Sequence, residues 1–136
     1  HDDRGAIYHM LRSDDPEFKK FGEIYFSKVY PGVVKGWHIH SRMTLNYLLV
    51  TGSVRVALYD ERPNSPTRGV LQEIILDETD SKLLTVPPGV WNGFKGLGAT
   101  DSIVANCATE PHDVDEISRR PYNDPSIEYD WSQRHG

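Results

Sequence analysis

Nine short β-rich runs follow one another along this chain, at residues 6–11, 22–30, 34–40, 45–51, 53–60, 70–76, 83–86, 90–94 and 101–107. Over 22–30 the period is two: Ile24, Phe26 and Lys28 fall on one face, and Glu23, Tyr25, Ser27 and Val29 on the other. Turn chemistry separates the runs. Thr51-Gly52-Ser53 reads as a tight hairpin, Asn64-Ser65-Pro66 as a loop and Pro87-Pro88-Gly89 as a turn. Parallel sheets need helical crossovers of about a dozen residues or more, and no helical period of that length occurs here. The expectation is an all-β sandwich or jelly roll. One helical turn is expected after Ser13-Asp14-Asp15, with Pro16 at the first helical position and residues 17–21 following.

A length of 136 residues fits one domain, with a core at about 5–108 and a tail at about 109–136. That tail carries seven acidic residues against three arginines, which reads as a solvated surface, while Ile117, Tyr122, Ile127, Tyr129 and Trp131 suggest a segment draped over the β core with Trp131 as its anchor. A net charge of −5 leaves no basic field for a phosphate backbone, so nucleic acid is not an expected partner. No apolar run approaches the roughly 20 residues of a membrane span. The one cysteine, Cys107, cannot form an internal disulfide and sits in an apolar run, so it reads as an inert buried thiol and points to a reducing, cytoplasmic setting.

Chemistry is concentrated at Lys35-Gly36-Trp37-His38-Ile39-His40, which places two imidazoles at i and i+2 on one face of a strand. Histidine suits proton transfer near neutral pH. The pair reads as a general base with a helper, as two metal ligands, or as two structural histidines. Trp37 and Trp91 could stack on a sugar or base ring, or fill a core.

The order Gly32-x5-His38-x-His40, then Gly52 after eleven residues, then Pro87-Pro88-Gly89, resembles the paired motifs of the cupins, double-stranded β-helix jelly rolls. Their metal-binding version wants Glu near position 45 and His near 92, where this chain has Leu45 and Asn92. Neither a metal nor any other cofactor is therefore expected. More closely, the chain resembles the dTDP-4-dehydrorhamnose 3,5-epimerase family. The matching stretches, in order, are Asp3-Arg4-Gly5, Lys35-Gly36-Trp37-His38, Leu58-Tyr59-Asp60-Glu61-Arg62 with Ser65-Pro66-Thr67-Arg68-Gly69, Pro87-Pro88-Gly89-Val90-Trp91-Asn92-Gly93-Phe94, and Tyr122-Asn123-Asp124-Pro125 with Tyr129-Asp130-Trp131.

That resemblance implies a metal-free isomerase of a nucleotide-linked 4-keto-6-deoxyhexose, a small-molecule partner, and a homodimer. It implies His38 as the base, Asp60 as an acidic catalytic residue and Arg4 as a contact to the nucleotide; beside it, the residues themselves give the expectation that His40 assists His38 and that Lys35, Trp37, Trp91 and Asn92 contact the substrate. Departures stand beside it. Ala105 takes the place of the family's acid tyrosine, Leu45 that of its lysine and Asn92 that of a histidine, and the chain stops at Gly136, before the family's base-orienting aspartate. A similarity to the small cupin 3,4-ketoisomerases, which use a His-x-His pair, offers an alternative chemistry. A non-catalytic sugar-nucleotide-binding cupin is the competing class.

Overall fold

The protein is described by a computed structural model covering residues 3–80 and 82–132. Its strands are β1 (Glu23–Val29), β2 (Val34–His40), β3 (Leu45–Thr51), β4 (Ser53–Asp60), β5 (Leu71–Asp77), β6 (Leu83–Val86), β7 (Val90–Gly96), β8 (Ser102–Ala108) and β9 (Ile117–Arg119). No helix occurs among the described residues, so the all-β expectation holds. The strands form a four-stranded antiparallel sheet in the order β1-β8-β3-β6 and a five-stranded one in the order β5-β4-β7-β2-β9.

Side-chain alternation builds the space between the sheets. Leu45, Tyr47 and Leu49 of β3 and Val104 and Ala108 of β8 meet Val54, Val56 and Leu58 of β4 and Val90 and Phe94 of β7 in one buried cluster. The opposite face of the five-stranded sheet is apolar too, because the tail covers it: Trp37, Ala57 and Trp91 pack against Ile127 and Trp131. Trp131 needs a slot there, and two glycines on paired strands make it. A Cβ on Gly93 would lie 3.0 Å from Gly36 Cα and 3.2 Å from the Trp131 ring. The indole N–H groups of both Trp37 and Trp131 donate to the Tyr122 carbonyl, at 3.2 and 3.1 Å, so these two buried donors are partnered.

Four expectations are corrected. Thr51-Gly52-Ser53 is not a hairpin within a sheet, because β3 and β4 belong to different sheets and Gly52 is the corner between them. Its φ is +91°, and a Cβ there would lie 2.2 Å from Ser102 Oγ, so only glycine fits. Residues 6–11 form no strand and are largely exposed, with Ile7 84% accessible. The helical turn expected at 16–21 is replaced by two β-turns, Asp15 N–H to the Arg12 carbonyl and Phe18 N–H to the Asp15 carbonyl; a single turn between Pro16 and Gly22 is too short to nucleate a helix. The acidic tail is not simply solvated, since it supplies β9 to the edge of β2.

Candidate active site

Period two on β2 turns His38 and His40 to the inner side of the five-stranded sheet, with ring centroids 6.3 Å apart and planes at 77°. They line a cavity of about 430 Å³. It opens where the edge strands of the two sheets, β1 and β9, face each other: Glu23 and Tyr25 come from β1, Ile117 and Arg119 from β9, and Met43 and His112 from loops.

His38 is mostly buried. Burial first, then the neighbouring His40 and Arg119, lower its pKa from the usual 6.5 to about 4. At neutral pH it is an uncharged imidazole with a lone pair to accept a proton. Arg119 lies directly opposite His38 in the β2–β9 register, so a permanent positive charge sits beside the base.

His40 is organised differently. Its Nδ1 lies 2.5 Å from Glu116 Oε1, while Glu116 Oε2 accepts the backbone N–H groups of Arg42 and Met43 at 2.9 and 2.7 Å. Burial opposes ionisation of Glu116, but the hydrogen bonds from His40, Arg42 and Met43 prevail and hold its carboxyl below the usual range. An ionised carboxylate only accepts, so His40 Nδ1 is the donor in that bond and Nε2 is the ring nitrogen turned away from Glu116. Glu116 is 3% exposed and lies 76 residues beyond His40, the distance that hid it from sequence reasoning.

Asn92 does not line the cavity. Its Nδ2 donates to the His38 carbonyl at 3.2 Å and its Oδ1 accepts the Tyr47 hydroxyl at 2.8 Å, so it ties β2 to β7 and to the opposite sheet. Tyr47 is wholly buried, and burial raises its pKa well above that of a free phenol.

The other expected site residues lie elsewhere. Asp60 is gripped by Arg62 through Nε and Nη2 at 3.0 and 2.9 Å and by the hydroxyls of Ser65 and Thr67 at 2.6 and 2.5 Å. Those bonds, Arg62 foremost, drive its carboxyl far below the usual range, so it anchors the loop after β4 and does not face the histidines. Trp37 and Trp91 are on the opposite face of their sheet, under the tail, and Trp91 Nε1 donates to Glu61 at 2.6 Å. Lys35 is exposed and donates to Ser27 Oγ at 2.8 Å, and Arg4 lies in the exposed stretch before β1. The reason for Trp37 and Trp91 is alternation itself: a residue next to an inward one points outward. The same rule moves Ala105 away from the cavity. It pairs with Phe26 and Leu48 on the outer face of the four-stranded sheet, whereas Asn106 faces inward. Cys107 is half-buried, and burial raises its thiol pKa.

Among the described residues no group of three or more His, Cys, Asp or Glu side chains is placed to hold a metal ion. No helix of those residues is long and apolar enough to cross a membrane.

The sequence model of the dTDP-4-dehydrorhamnose 3,5-epimerase family matches residues 1–135. The chain belongs to that family. Among relatives of this sugar-nucleotide epimerase family, the probable low-salt glycan biosynthesis epimerase Agl13 of Haloferax volcanii is 35% identical, over 96% of this chain and 86% of its own. The spore coat polysaccharide biosynthesis protein SpsL of Bacillus subtilis is 32% identical, over 96% and 88%. The crystal structure of the dTDP sugar isomerase from Desulfovibrio desulfuricans G20 superposes with a TM-score of 0.94 at 43% identity, over 99% of this chain and 87% of that one. The epimerase fold is accordingly the cupin-type jelly roll that the motif order implied.

Proposed function

We propose that this family member isomerises a dTDP-linked or similar 4-keto-6-deoxyhexose by proton transfer at the carbon next to the ketone, as a step in making a deoxysugar for a glycan or polysaccharide. The observation that carries the reading is the histidine pair: His38 is uncharged and mostly buried beside Arg119, and His40 is oriented by the buried carboxylate of Glu116. His38 removes the α-proton. Arg119 stabilises the enolate oxygen that then gains charge, an electrostatic role that costs no reorganisation when the charge is already in place. His40, oriented by Glu116, assists the base, and in the alternative 3,4-ketoisomerisation it would move the second proton that an enediol requires. The family membership and the names of the relatives support the substrate class.

The test is exchange. Incubated in deuterium oxide with a dTDP-linked 4-keto-6-deoxyhexose, the folded protein is expected to wash deuterium into the carbon next to the ketone, and His38→Asn is expected to abolish it. No wash-in from the folded parent protein would leave the non-catalytic binding reading standing, which calorimetry with the same nucleotide sugar would then measure. One observation favours a second chemistry. Both histidines lie on one face, as one-sided 3,4-ketoisomerisation needs, and NMR of the product separates a moved ketone from an inverted carbon. A homodimer is also part of the proposal: Ile24 and Phe26 of edge strand β1 are 50% and 65% exposed on the outer face of the sheet, apolar surface suited to a second copy. Sedimentation equilibrium measures it.

A further inference from the structure

Inverting a carbon through an enolate takes a base on one face and a proton donor on the other. The cavity has walls from both sheets, and His38, His40 and Arg119 all come from the five-stranded one. From the four-stranded sheet come Glu23 and Tyr25. An ionised carboxylate only accepts hydrogen bonds, whereas a phenol keeps its proton at neutral pH.

Whether that phenol proton is free to be given is answered by the amide beside it. The backbone N–H of Asn46 can only donate, and it lies 3.1 Å from Asn106 Oδ1. That contact fixes which way the buried amide faces and leaves Nδ2 pointing at Tyr25 Oη, 3.0 Å away. Tyr25 is therefore the acceptor in this bond, and its own proton is left to point into the cavity. Tyr47 shows the opposite arrangement one strand further along. The row Tyr25–Asn106–Tyr47 crosses β1, β8 and β3 in register. Because Asn92 spends its Nδ2 on the His38 carbonyl, its Oδ1 takes the Tyr47 proton. Of these two tyrosines one has its proton committed inside the fold, and the other, 43% exposed, has it available and open to resupply from water.

We infer that Tyr25 is the catalytic proton donor on the face of the substrate opposite His38. The step balances without a co-reactant. His38 takes the α-proton as the C–H bond breaks and the electron pair moves to the ketone oxygen. The Tyr25 O–H bond then breaks as a new C–H bond forms on the other face. Solvent reprotonates the phenolate and removes the proton from His38. Asn106 is a positioning residue, since an N–H donor on Oη stabilises the phenolate that the transfer leaves.

This assignment rests on the proposed epimerisation, and one experiment separates the two. The whole protein is incubated in deuterium oxide with a dTDP-linked 4-keto-6-deoxyhexose, with deuterium wash-in and inverted product both followed by NMR. Tyr25→Phe is expected to keep the wash-in, because His38 still removes and returns a proton on its own face, while inverted product falls by about 10²–10⁴-fold. His38→Asn is expected to lose both. Inverted product formed by Tyr25→Phe at the parent rate overturns the assignment, as does loss of wash-in together with product from a folded variant. No wash-in from the parent protein overturns the epimerase reading and the donor with it. Replacing Tyr25 by 3-fluorotyrosine keeps the Asn106 bond and the ring packing, so it guards against misfolding. The groups facing this phenol are Glu23, His38, His40, His112, Arg119 and Tyr47. The 3-fluorotyrosine protein is expected to keep forming inverted product, and loss of that product from the folded variant counts against Tyr25.

Discussion

The two faces of β2 are made of adjacent residues and have opposite chemistry. His38 and His40 face a solvent-connected cavity shared with Glu23, Tyr25 and Arg119, whereas Trp37 lies on the other side in an aromatic layer closed by the tail. One face keeps its groups titratable and reachable. The other ties the chain's last described segment to the sheet, with Trp37 and Trp131 rings 5.1 Å apart and Arg55 and Lys95 both donating to the Trp131 carbonyl. The difference teaches that the tail serves both. Its residues 121–132 seal the aromatic face, and its earlier part, through Glu116 and Arg119, completes the cavity.

The sharpest way to break the comparison is to damage each face separately. His38→Asn is expected to lower isomerisation by about 10²–10⁴-fold with little change in thermal stability, measured by exchange kinetics and calorimetry. Trp131→Ala is expected to cost about 3–5 kcal/mol of unfolding free energy, as large aromatic truncations in cores do, read from denaturant melts. Its effect on turnover should follow from instability alone. Glu116→Gln joins the two faces. It sets an amide N–H₂ against the Arg42 and Met43 N–H groups or against His40, leaving buried donors unsatisfied, for a loss of about 1–3 kcal/mol, and it lowers turnover because His40 loses its fixed tautomer.

Smaller effects come from titration. His38 takes its proton only near pH 4, so the acid limb of kcat/KM is expected near pH 4 and not near the ordinary 6.5. The sign for stability follows. Between those values the unfolded chain binds a proton that the folded protein refuses, so stability falls as pH drops from 6.5 toward 4. In His38→Asn the decline of the melting temperature over that window should be shallower. Smallest of all, Lys35→Ala removes an exposed hydrogen bond to Ser27 and is expected to shift stability by less than about 0.5 kcal/mol.

Much of the fold was legible because period two and turn residues are local signals. The run at 53–60 becomes β4 with its bounds unchanged, and the one at 90–94 extends by two residues to Gly96. Residues 6–11 are β-rich enough to suggest a strand, yet a strand exists only where another offers its hydrogen bonds, and among the described residues none pairs with them. Conversely, Ile117–Arg119 is too short to announce itself and becomes β9 because the edge of β2 is open to it. At the site, His38 and His40 could be read from their spacing. Glu116, Arg119 and Tyr25 could not, since Arg119 and Tyr25 reach the cavity, and Glu116 reaches His40, through pairing or packing that spans tens of residues.

By itself the sequence determined an all-β chain with two same-side histidines on one strand and a tail carrying buried-type aromatics, because alternation and turn chemistry act over a few residues. Only the tertiary structure decided which side of each sheet is inside. That choice sent Trp37, Trp91 and Ala105 away from the histidines and bound Asp60 into a loop. It also brought Arg119 and Tyr25 to the cavity and Glu116 behind His40, because long-range strand order determines which side chains share a space.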